Sequence, residues 1–494
     1  MDLKRTSGSP SSTPKGAPTE TSMPLRLGFF GLTALVFGMM VGGGIFDLPQ
    51  NFARGAGLGA VAIAWLITAG GMLLLVATLK TLADRRPDLR AGIYQYALEG
   101  FGHYMGFNAA WGYWLCAAFA NVTYAVMLND SFGAFFPALL DHRVPTLIFG
   151  SVLIWTMYLL VAVGIRTAKY VNSFLAVLKV AVILLIIVLL VINARMGLFS
   201  FDFMGRLGDL GGLGHQVRST MLVTLYCFIG IEGAVVMSSR AGNVRHVGRA
   251  GVIGFFMAWT LYVLVSMLSY GVMTRAQLAG LENPSVAYVL RTVCGDWAYY
   301  FVIISVIVSL LGGWLSWTIV TAQVPMEAAA IGVFPRPFMR LNTKGMPAGG
   351  LAVSSVIMQL FLVIVVTADN VYITALNITG MMILPAYLFC GLYLWKVTCR
   401  PSELGNPSRK DLLRFRFAGV ACTLYCLWML YSAGLSLLLL TSLFYIAGVP
   451  MYVRVRRGCP GPVFTRGEKW AVAVMAVCAA VSVAMLINNP RLGM

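Results

Sequence analysis

The chain has 494 residues, of which 59% are hydrophobic and only 11% are charged. A soluble core cannot use so much apolar surface, so the composition excludes an ordinary soluble protein and indicates a polytopic membrane protein. The formal net charge of +18 does not indicate a nucleic-acid partner, because the basic residues are concentrated in short loops between apolar segments.

Thirteen apolar segments have the length that a helix needs to cross a bilayer. They are continuously apolar, whereas the strands of a membrane barrel alternate at period two, so the sequence predicts an all-α polytopic fold. In chain order, the predicted spans cover residues 27–52, 57–79, 92–128, 145–164, 170–193, 218–238, 250–273, 298–328, 349–367, 371–395, 415–433, 435–453 and 470–488.

The loop charges predict the orientation of the chain. If the N-terminus is cytoplasmic, the tail and alternate loops on that side carry 27 of the 36 Lys and Arg residues. This bias is the positive-inside pattern of a cytoplasmic-membrane protein. We therefore predict a bacterial inner-membrane location with a cytoplasmic N-terminus, and the odd number of spans puts the C-terminus outside.

Three regions follow from this pattern. Residues 1–24 are rich in Ser, Thr, Pro and Gly and are predicted to form a disordered cytoplasmic tail without a cleavable signal. Residues 25–396 are predicted to form a ten-helix transport core. Residues 397–494 add the remaining transmembrane helices.

The first span contains the segment "GMMVGGGIFDLPQN", with three consecutive glycines at Gly42, Gly43 and Gly44. Glycines allow the backbone to unwind and a ligand to approach it closely. Unwinding exposes N–H groups, and the positive end of the following half-helix favours an anion there. The segment therefore predicts a binding site for a substrate carboxylate.

Asp47 follows these glycines and has two interpretations. It could act as an acid toward a substrate ammonium group or a proton. Alternatively, it could cap the outer half-helix, with Pro49 in a first turn that tolerates proline.

A second interruption is expected in the sixth span, where Glu232 lies between Gly230 and Gly233 in "FIGIEG". A carboxylate inside an apolar span is costly and is a candidate functional group, the alternative being a structural, paired glutamate. The two interruptions lie five spans apart, in the first and the sixth span, as in transporters built from two inverted repeats of five helices.

Lys179 lies about nine residues into the fifth span, too deep for its amine to reach the interface easily. Its candidate partners are carbonyls at the first interruption, Asp47 or Glu232. It could replace a coupling sodium ion, or it could serve only a structural pairing.

Aromatic residues in three spans could surround a cationic substrate through cation–π contacts, although any one of them could simply pack. Positions 113, 117, 121 and 124 share one helical face in the third span, where Asn121 supplies both a donor and an acceptor. The candidate aromatic residues are Tyr113, Tyr124, Tyr226, Trp314 and Trp317.

Other kinds of site are not indicated. The four histidines lie at span ends or in loops, and the nine cysteines show no metal-ligand spacing. There is no phosphate-binding loop and no nucleophile elbow. We expect no metal, no cofactor and no enzymatic activity.

The chain resembles the amino acid–polyamine–organocation (APC) transporters, and within them the basic amino acid antiporters closest to the bacterial arginine/ornithine exchangers. The resemblance runs from about residue 25 to 455. It is densest in "GGGIFDLPQN", "LADRRPDLRAGIYQYALEGFGHYMGFNAAWGYWL", "TLYCFIGIEGAVVMSSRA" and "LGGWLSWTIVTAQVPMEAAAIGVFPRPF".

This resemblance implies a five-plus-five inverted-repeat fold, also called LeuT-like, and sodium-independent exchange. It implies that Glu232 and Tyr113 act in gating and that a tryptophan of the eighth span, Trp314 or Trp317, is a gate. At the position of Tyr226 related proteins carry tryptophan, and at Asp47 a small residue is expected. The implied substrate-binding residues are Gly42, Gly43, Gly44, Ile45, Asn121, Tyr124, Tyr226, Ile229, Trp314 and Trp317, and the implied gating or proton-coupling residues are Tyr113, Glu232, Lys179 and Asp47.

The function expected is exchange of a cationic amino acid (arginine, lysine or ornithine) for a related amino acid or its decarboxylated amine. Proton-coupled uptake, with Glu232 or Lys179 titrating, is the alternative within transport. A transporter-like nutrient sensor is a remote alternative, because no signalling module is visible. The expected partners are the amino acid and amine substrates and the lipid bilayer, with a homodimer as a candidate assembly.

Overall fold

A computed structural model describes residues 29–89, 92–139, 143–163, 168–236, 244–367, 371–458 and 460–488. Side chains are described within these ranges except at residues 35, 168–176, 234, 236 and 244–247. The predicted tail, residues 1–24, lies outside the described residues.

The described part of the chain is helical and contains no β-strand, only an isolated bridge between Leu341 and Pro347. Short 3₁₀ turns connect several of the helices. In chain order, the helices are α1 (Phe29–Met40), α2 (Leu48–Ala53), α3 (Leu58–Arg85), α4 (Ile93–Phe101), α5 (His103–Gly133), α6 (Arg143–Val163), α7 (Ala168–Asn193), α8 (Met196–Phe201), α9 (Leu213–Tyr226), α10 (Gly233–Val236), α11 (Val244–Ser269), α12 (Arg275–Ala279), α13 (Ser285–Cys294), α14 (Asp296–Ala330), α15 (Ala348–Val365), α16 (Val371–Thr398), α17 (Arg409–Ala433), α18 (Leu435–Ile446), α19 (Val449–Arg456) and α20 (Arg466–Asn488).

The all-α, membrane-type architecture predicted from the sequence is confirmed. Nine helices in the described residues are long and apolar enough to cross a membrane. Their outward faces are apolar, as for Trp470 and Ile487 on α20, which are 76% and 74% exposed. Such surfaces suit lipid, because a helix that presents apolar residues to its surroundings requires an apolar medium.

The remaining predicted spans fall on helices outside this set of nine, and the total of thirteen stays a prediction. The first and sixth spans are divided into shorter helices, as the glycine-rich segments predict. In α7 the described apolar stretch is Val177–Asn193. Helix α5 is long but carries buried polar residues, including Asn108, Asn121 and Asn129, because it faces the interior of the protein.

Helix α5 is central to the bundle and packs against α14, α16 and α4. Almost every residue from Tyr104 to Asn129 is buried, including a run of small residues around Ala117 and Ala118. Small residues allow neighbouring helices to approach closely where lipid gives no hydrophobic drive for association. Helices α14 and α16, which contact the broken helices α1 and α9, are therefore held against a closely packed support.

A carboxylate of the last helix forms one of the attachments between the C-terminal helices and the rest of the protein. Glu468 of α20 accepts hydrogen bonds from the amide of Tyr104, in the first turn of α5, at 3.1 Å and from that of Thr465 at 2.8 Å. The first amides of a helix have no partner within the helix, so Glu468 satisfies amides at the start of two different helices.

Candidate functional site

The end of α1 unwinds at Val41, and a 3₁₀ turn, Gly44–Phe46, precedes α2. Unwinding leaves carbonyl groups without helical partners, and side chains of three other helices supply them. Trp317 of α14 donates its Nε1–H to the Met39 carbonyl at 3.2 Å. The Tyr262 hydroxyl of α11 donates to the Met40 carbonyl at 2.7 Å, and Lys179 Nζ of α7 donates to the Val41 carbonyl at 2.7 Å.

The amides after this point are available to a ligand. Within the described residues, the N–H groups of Gly43 and Gly44 donate no hydrogen bond to another backbone carbonyl, whereas the Gly42 amide is occupied by the Met40 carbonyl. Buried N–H groups normally have a partner, and successive free amides form a concave site that suits an anion. The arrangement is what a carboxylate-binding turn requires.

A small cavity lies against these glycines. Its wall is apolar and aromatic, and none of the described residues that line it carries a charge. It is lined by Met39, Met40, Gly42, Gly43, Gly44, Ala120, Tyr124, Tyr226, Cys227, Ile229, Tyr262 and Trp317.

Most of the predicted substrate-binding residues are therefore brought together. The two tryptophans, which the sequence did not distinguish, are separated by their positions. Trp317 lines the cavity and bonds to Met39, whereas Trp314 is fully buried outside the lining and its indole nitrogen has no partner. Ile45 is also buried outside the lining.

Asn121 is next to the cavity without lining it. Its Nδ2 donates to the Ala117 carbonyl and to Thr321 Oγ1, both at 3.0 Å, which ties α5 to α14. Its Oδ1 has no partner. The side chain therefore has one free acceptor for a donor group that enters beside it.

The sixth-span interruption lies directly against the first one. Helix α9 ends at Tyr226, and Gly230 has φ of +109°, a conformation that side-chain-bearing residues rarely adopt. A Cβ atom at Gly230 would lie 2.9 Å from Met39 Cβ and 3.0 Å from the Met39 carbonyl carbon. Glycine is required here both by the backbone conformation and by the close approach of the two broken helices.

Glu232 is fully buried beside this turn. Its Oε2 accepts hydrogen bonds from the Tyr387 hydroxyl of α16 at 2.6 Å and from the Gly230 amide at 3.1 Å. Oε1 has no hydrogen-bond partner, although the Tyr113 hydroxyl lies beside the carboxylate. Glu232, Tyr113 and Tyr387 thus form a polar cluster next to the aromatic cavity.

Asp47 has the backbone position of a helix cap, but its side chain does not cap α2. Its φ and ψ of −107° and −7° are not the extended values with which an N-cap side chain folds back onto its helix. The capping interpretation is therefore wrong for the side chain. Both carboxylate oxygens are buried without a hydrogen-bond partner, and the nearby hydroxyl is that of Tyr372 on α16.

Several residues of the site were not predicted from the sequence. Tyr262, Tyr372 and Tyr387 lie in apolar spans and show no motif that separates them from the other tyrosines of the chain. Their importance depends on partners far away in sequence, as in the pairs Tyr262–Met40 and Tyr387–Glu232.

Comparison with known proteins agrees with the geometry. The profile of the family described as "Amino acid permease" matches residues 27–453. The arginine/agmatine antiporter of Chlamydia felis is 38% identical over 478 residues, covering 94% of this chain and 98% of that protein. The arginine/ornithine antiporter of Pseudomonas aeruginosa is 41% identical over 471 residues, covering 94% and 97%. The chain belongs to the amino acid permease family.

Proposed function

We propose that the protein is an antiporter that exchanges a cationic amino acid, such as arginine, lysine or ornithine, for a related amino acid or its decarboxylated amine. The observation that carries this proposal is the pair of free amides at Gly43 and Gly44 facing a cavity with aromatic walls. The amides suit an α-carboxylate, and the rings of Tyr226 and Trp317 suit an ammonium or guanidinium group. The names of the relatives from Chlamydia felis and Pseudomonas aeruginosa support the same substrates.

Alternating access follows from the same elements. A substrate at the junction of two broken helices is released to either side when the half-helices move relative to their support. We assign Glu232, Tyr113 and Lys179 to gating or proton coupling, since each is a buried polar group at one of the two interruptions. No residue is assigned a catalytic role.

The proposal extends to the organisation of the chain. Residues 25–396 form the ten-helix inverted-repeat core, and residues 397–494 provide the additional helices. The N-terminus lies in the cytoplasm and the C-terminus outside, in a bacterial inner membrane, with a homodimer as the candidate assembly. Reporter fusions at both ends test the orientation, and size-exclusion chromatography with light scattering tests the assembly.

Exchange is tested in reconstituted vesicles. Labelled arginine is offered to vesicles that are empty or preloaded with ornithine, agmatine or an unrelated amino acid. Uptake that depends on ornithine or agmatine inside supports the proposal. Equal uptake into empty vesicles contradicts exchange and favours proton-coupled uptake, which an imposed pH gradient then tests.

The carboxylate site is tested by Gly43→Val. A Cβ at Gly43 meets the side-chain ends of Leu310 and Met127, which are flexible, so the fold should survive while the space beside the amides is filled. Transport should be abolished with normal membrane insertion. Unchanged uptake in this variant contradicts the carboxylate assignment.

A further inference from the structure

Two carboxylates flank the central cavity, and they differ in how they are bonded. Glu232 is held by Tyr387 and by the Gly230 amide. Asp47 is 0% exposed, and both of its oxygens lack a hydrogen-bond partner. Within the described residues no ion pair includes Asp47.

An unpaired buried carboxylate is costly and calls for a partner, because removing the group from water is not compensated within the protein. The protein's own groups near Asp47 do not supply a cation. Its electrostatic neighbours are Asp130 of α5, which is another acid, and the Tyr372 hydroxyl.

Asp47 is connected to the cavity wall by its backbone, through Gly44. The Asp47 amide donates to the Gly44 carbonyl at 3.2 Å, and Gly44 is part of the cavity wall. A Cβ built on Gly44 would lie 3.3 Å from the Tyr226 ring and 3.9 Å from the Tyr372 hydroxyl. The Tyr372 hydroxyl is itself buried and interacts with the Asp47 carboxyl group, so this polar pair lies behind the aromatic wall.

Helix α16 supplies a tyrosine to each carboxylate. Tyr372 lies beside Asp47, and Tyr387 donates a hydrogen bond to Glu232. At 1.5 Å per residue, the two tyrosines are about 22 Å apart along the helix. The two carboxylate–tyrosine pairs are therefore well separated along α16, and the Glu232 pair is joined by a direct 2.6 Å hydrogen bond.

The acidic groups around Asp47 continue toward the surface. Asp130, which is partly buried, interacts electrostatically with both Asp47 and Glu282. Glu282 is exposed and follows α12 in the chain. Carboxylates of increasing exposure raise the local concentration of cations near the surface end of this series.

We propose that Asp47, with the Tyr372 hydroxyl beside it, is a second organic-cation site adjoining the central cavity, which binds the ammonium or guanidinium group of a cationic substrate. This inference rests on the proposed function. The cavity itself offers no carboxylate, Glu232 is already hydrogen-bonded, and Asp47 is the buried carboxyl group behind the cavity wall that no cation of the described residues pairs with. A guanidinium group, with its five N–H donors, satisfies both carboxylate oxygens at once.

The experiment compares ligands that differ in charge. Binding of arginine, of agmatine and of citrulline, the analogue of arginine with an uncharged side chain, is measured by isothermal titration on the purified full-length protein and on Asp47→Asn. A charge-assisted hydrogen bond lost from a buried site weakens binding about 10-fold or more. We expect this loss for arginine and agmatine, with citrulline changed less than about twofold. Asp209→Asn, which removes an exposed carboxylate in the loop after α8, is the matched control and should leave all three unchanged.

The outcomes separate the inference from the proposed function. If the unmodified protein neither binds nor exchanges any cationic amino acid, the proposed function fails. If it exchanges arginine but Asp47→Asn keeps the arginine-to-citrulline preference, only the second site is refuted. If the Asn variant is not recovered as folded protein, Asp47→Ser tests the same loss of charge, and Asp47→Glu should retain the preference. A preserved preference combined with altered proton coupling makes Asp47 a proton site and overturns the cation assignment.

Discussion

The close approach of the two broken helices can be tested at one residue, Gly230. Alanine there forces a side-chain-bearing residue into φ of +109°, which costs roughly 1–2 kcal/mol even in the more favourable left-handed helical region. The new Cβ also lies 2.9 and 3.0 Å from Met39 Cβ and the Met39 carbonyl carbon. The Met39 backbone cannot retreat without disturbing the 3.2 Å bond from Trp317 to its carbonyl.

These costs add to about 2–4 kcal/mol of lost folding free energy for Gly230→Ala, within the range of single mutations that create backbone strain and overpacking. The assay is thermal unfolding of the purified protein in detergent, with arginine exchange measured in vesicles. We expect a clearly lowered melting temperature together with loss of transport.

The matched control is Gly38→Ala, inside α1 and one residue before Met39, which Gly230 contacts. Nothing lies within 4 Å of a Cβ at Gly38, and alanine is favoured over glycine in a helix by roughly 0.5–1 kcal/mol. The control should be as stable as the unmodified protein or slightly more so. If Gly230→Ala unfolds and transports like Gly38→Ala, the two broken helices do not meet as described.

Three further variants test individual contacts. Tyr387→Phe removes the 2.6 Å bond to Glu232 and should lower the free energy of unfolding by about 1–3 kcal/mol and slow exchange, whereas wild-type rates would show that this bond does not act in gating. Lys179→Met removes the donor to the Val41 carbonyl and should also lower the free energy of unfolding by about 1–3 kcal/mol. If Lys179→Gln restores both stability and transport, the hydrogen bond is required and the charge is not. Glu468→Ala leaves the amides of Tyr104 and Thr465 without their acceptor and should lower the free energy of unfolding by roughly 1–2 kcal/mol, measured as a lower melting temperature. Glu468→Gln keeps one acceptor oxygen and should show a smaller decrease. An unchanged melting temperature in both variants would contradict the capping of α5 by α20.

The sequence predicted the two interruptions because they leave strong local signals. Three consecutive glycines, or a glutamate between glycines, are conspicuous within an apolar span, and the physical reasons for a break are local. The same applies to Lys179, whose depth in the span indicates a buried partner. The sequence offered three candidate partners, and the structure selects the Val41 carbonyl.

Relations between distant parts of the chain were not predictable in this way. Trp314 and Trp317 are less than one helical turn apart, so periodicity alone does not decide which reaches the cavity. What separates them is the Met39 carbonyl, which is available only because α1 unwinds. The side-chain role of Asp47 depended likewise on its backbone angles, which residue type does not determine.

The three side chains that bind successive carbonyls of α1 have a mechanical consequence. Met39, Met40 and Val41 are each tied to a different helix, through Trp317, Tyr262 and Lys179. A displacement of α1 relative to α14 or α7 leaves the buried Met39 or Val41 carbonyl without its donor, which costs about 1–3 kcal/mol for each group left unpaired, whereas the Met40 carbonyl keeps the Gly42 amide. The end of α1 therefore either moves together with these three helices as a rigid body, or moves separately only when water or substrate replaces the lost donor. A protein without bound substrate has fewer donors that can replace the lost ones, so its conformational change costs more free energy. This disfavours the substrate-free transition that would uncouple the transport of one substrate from that of the other.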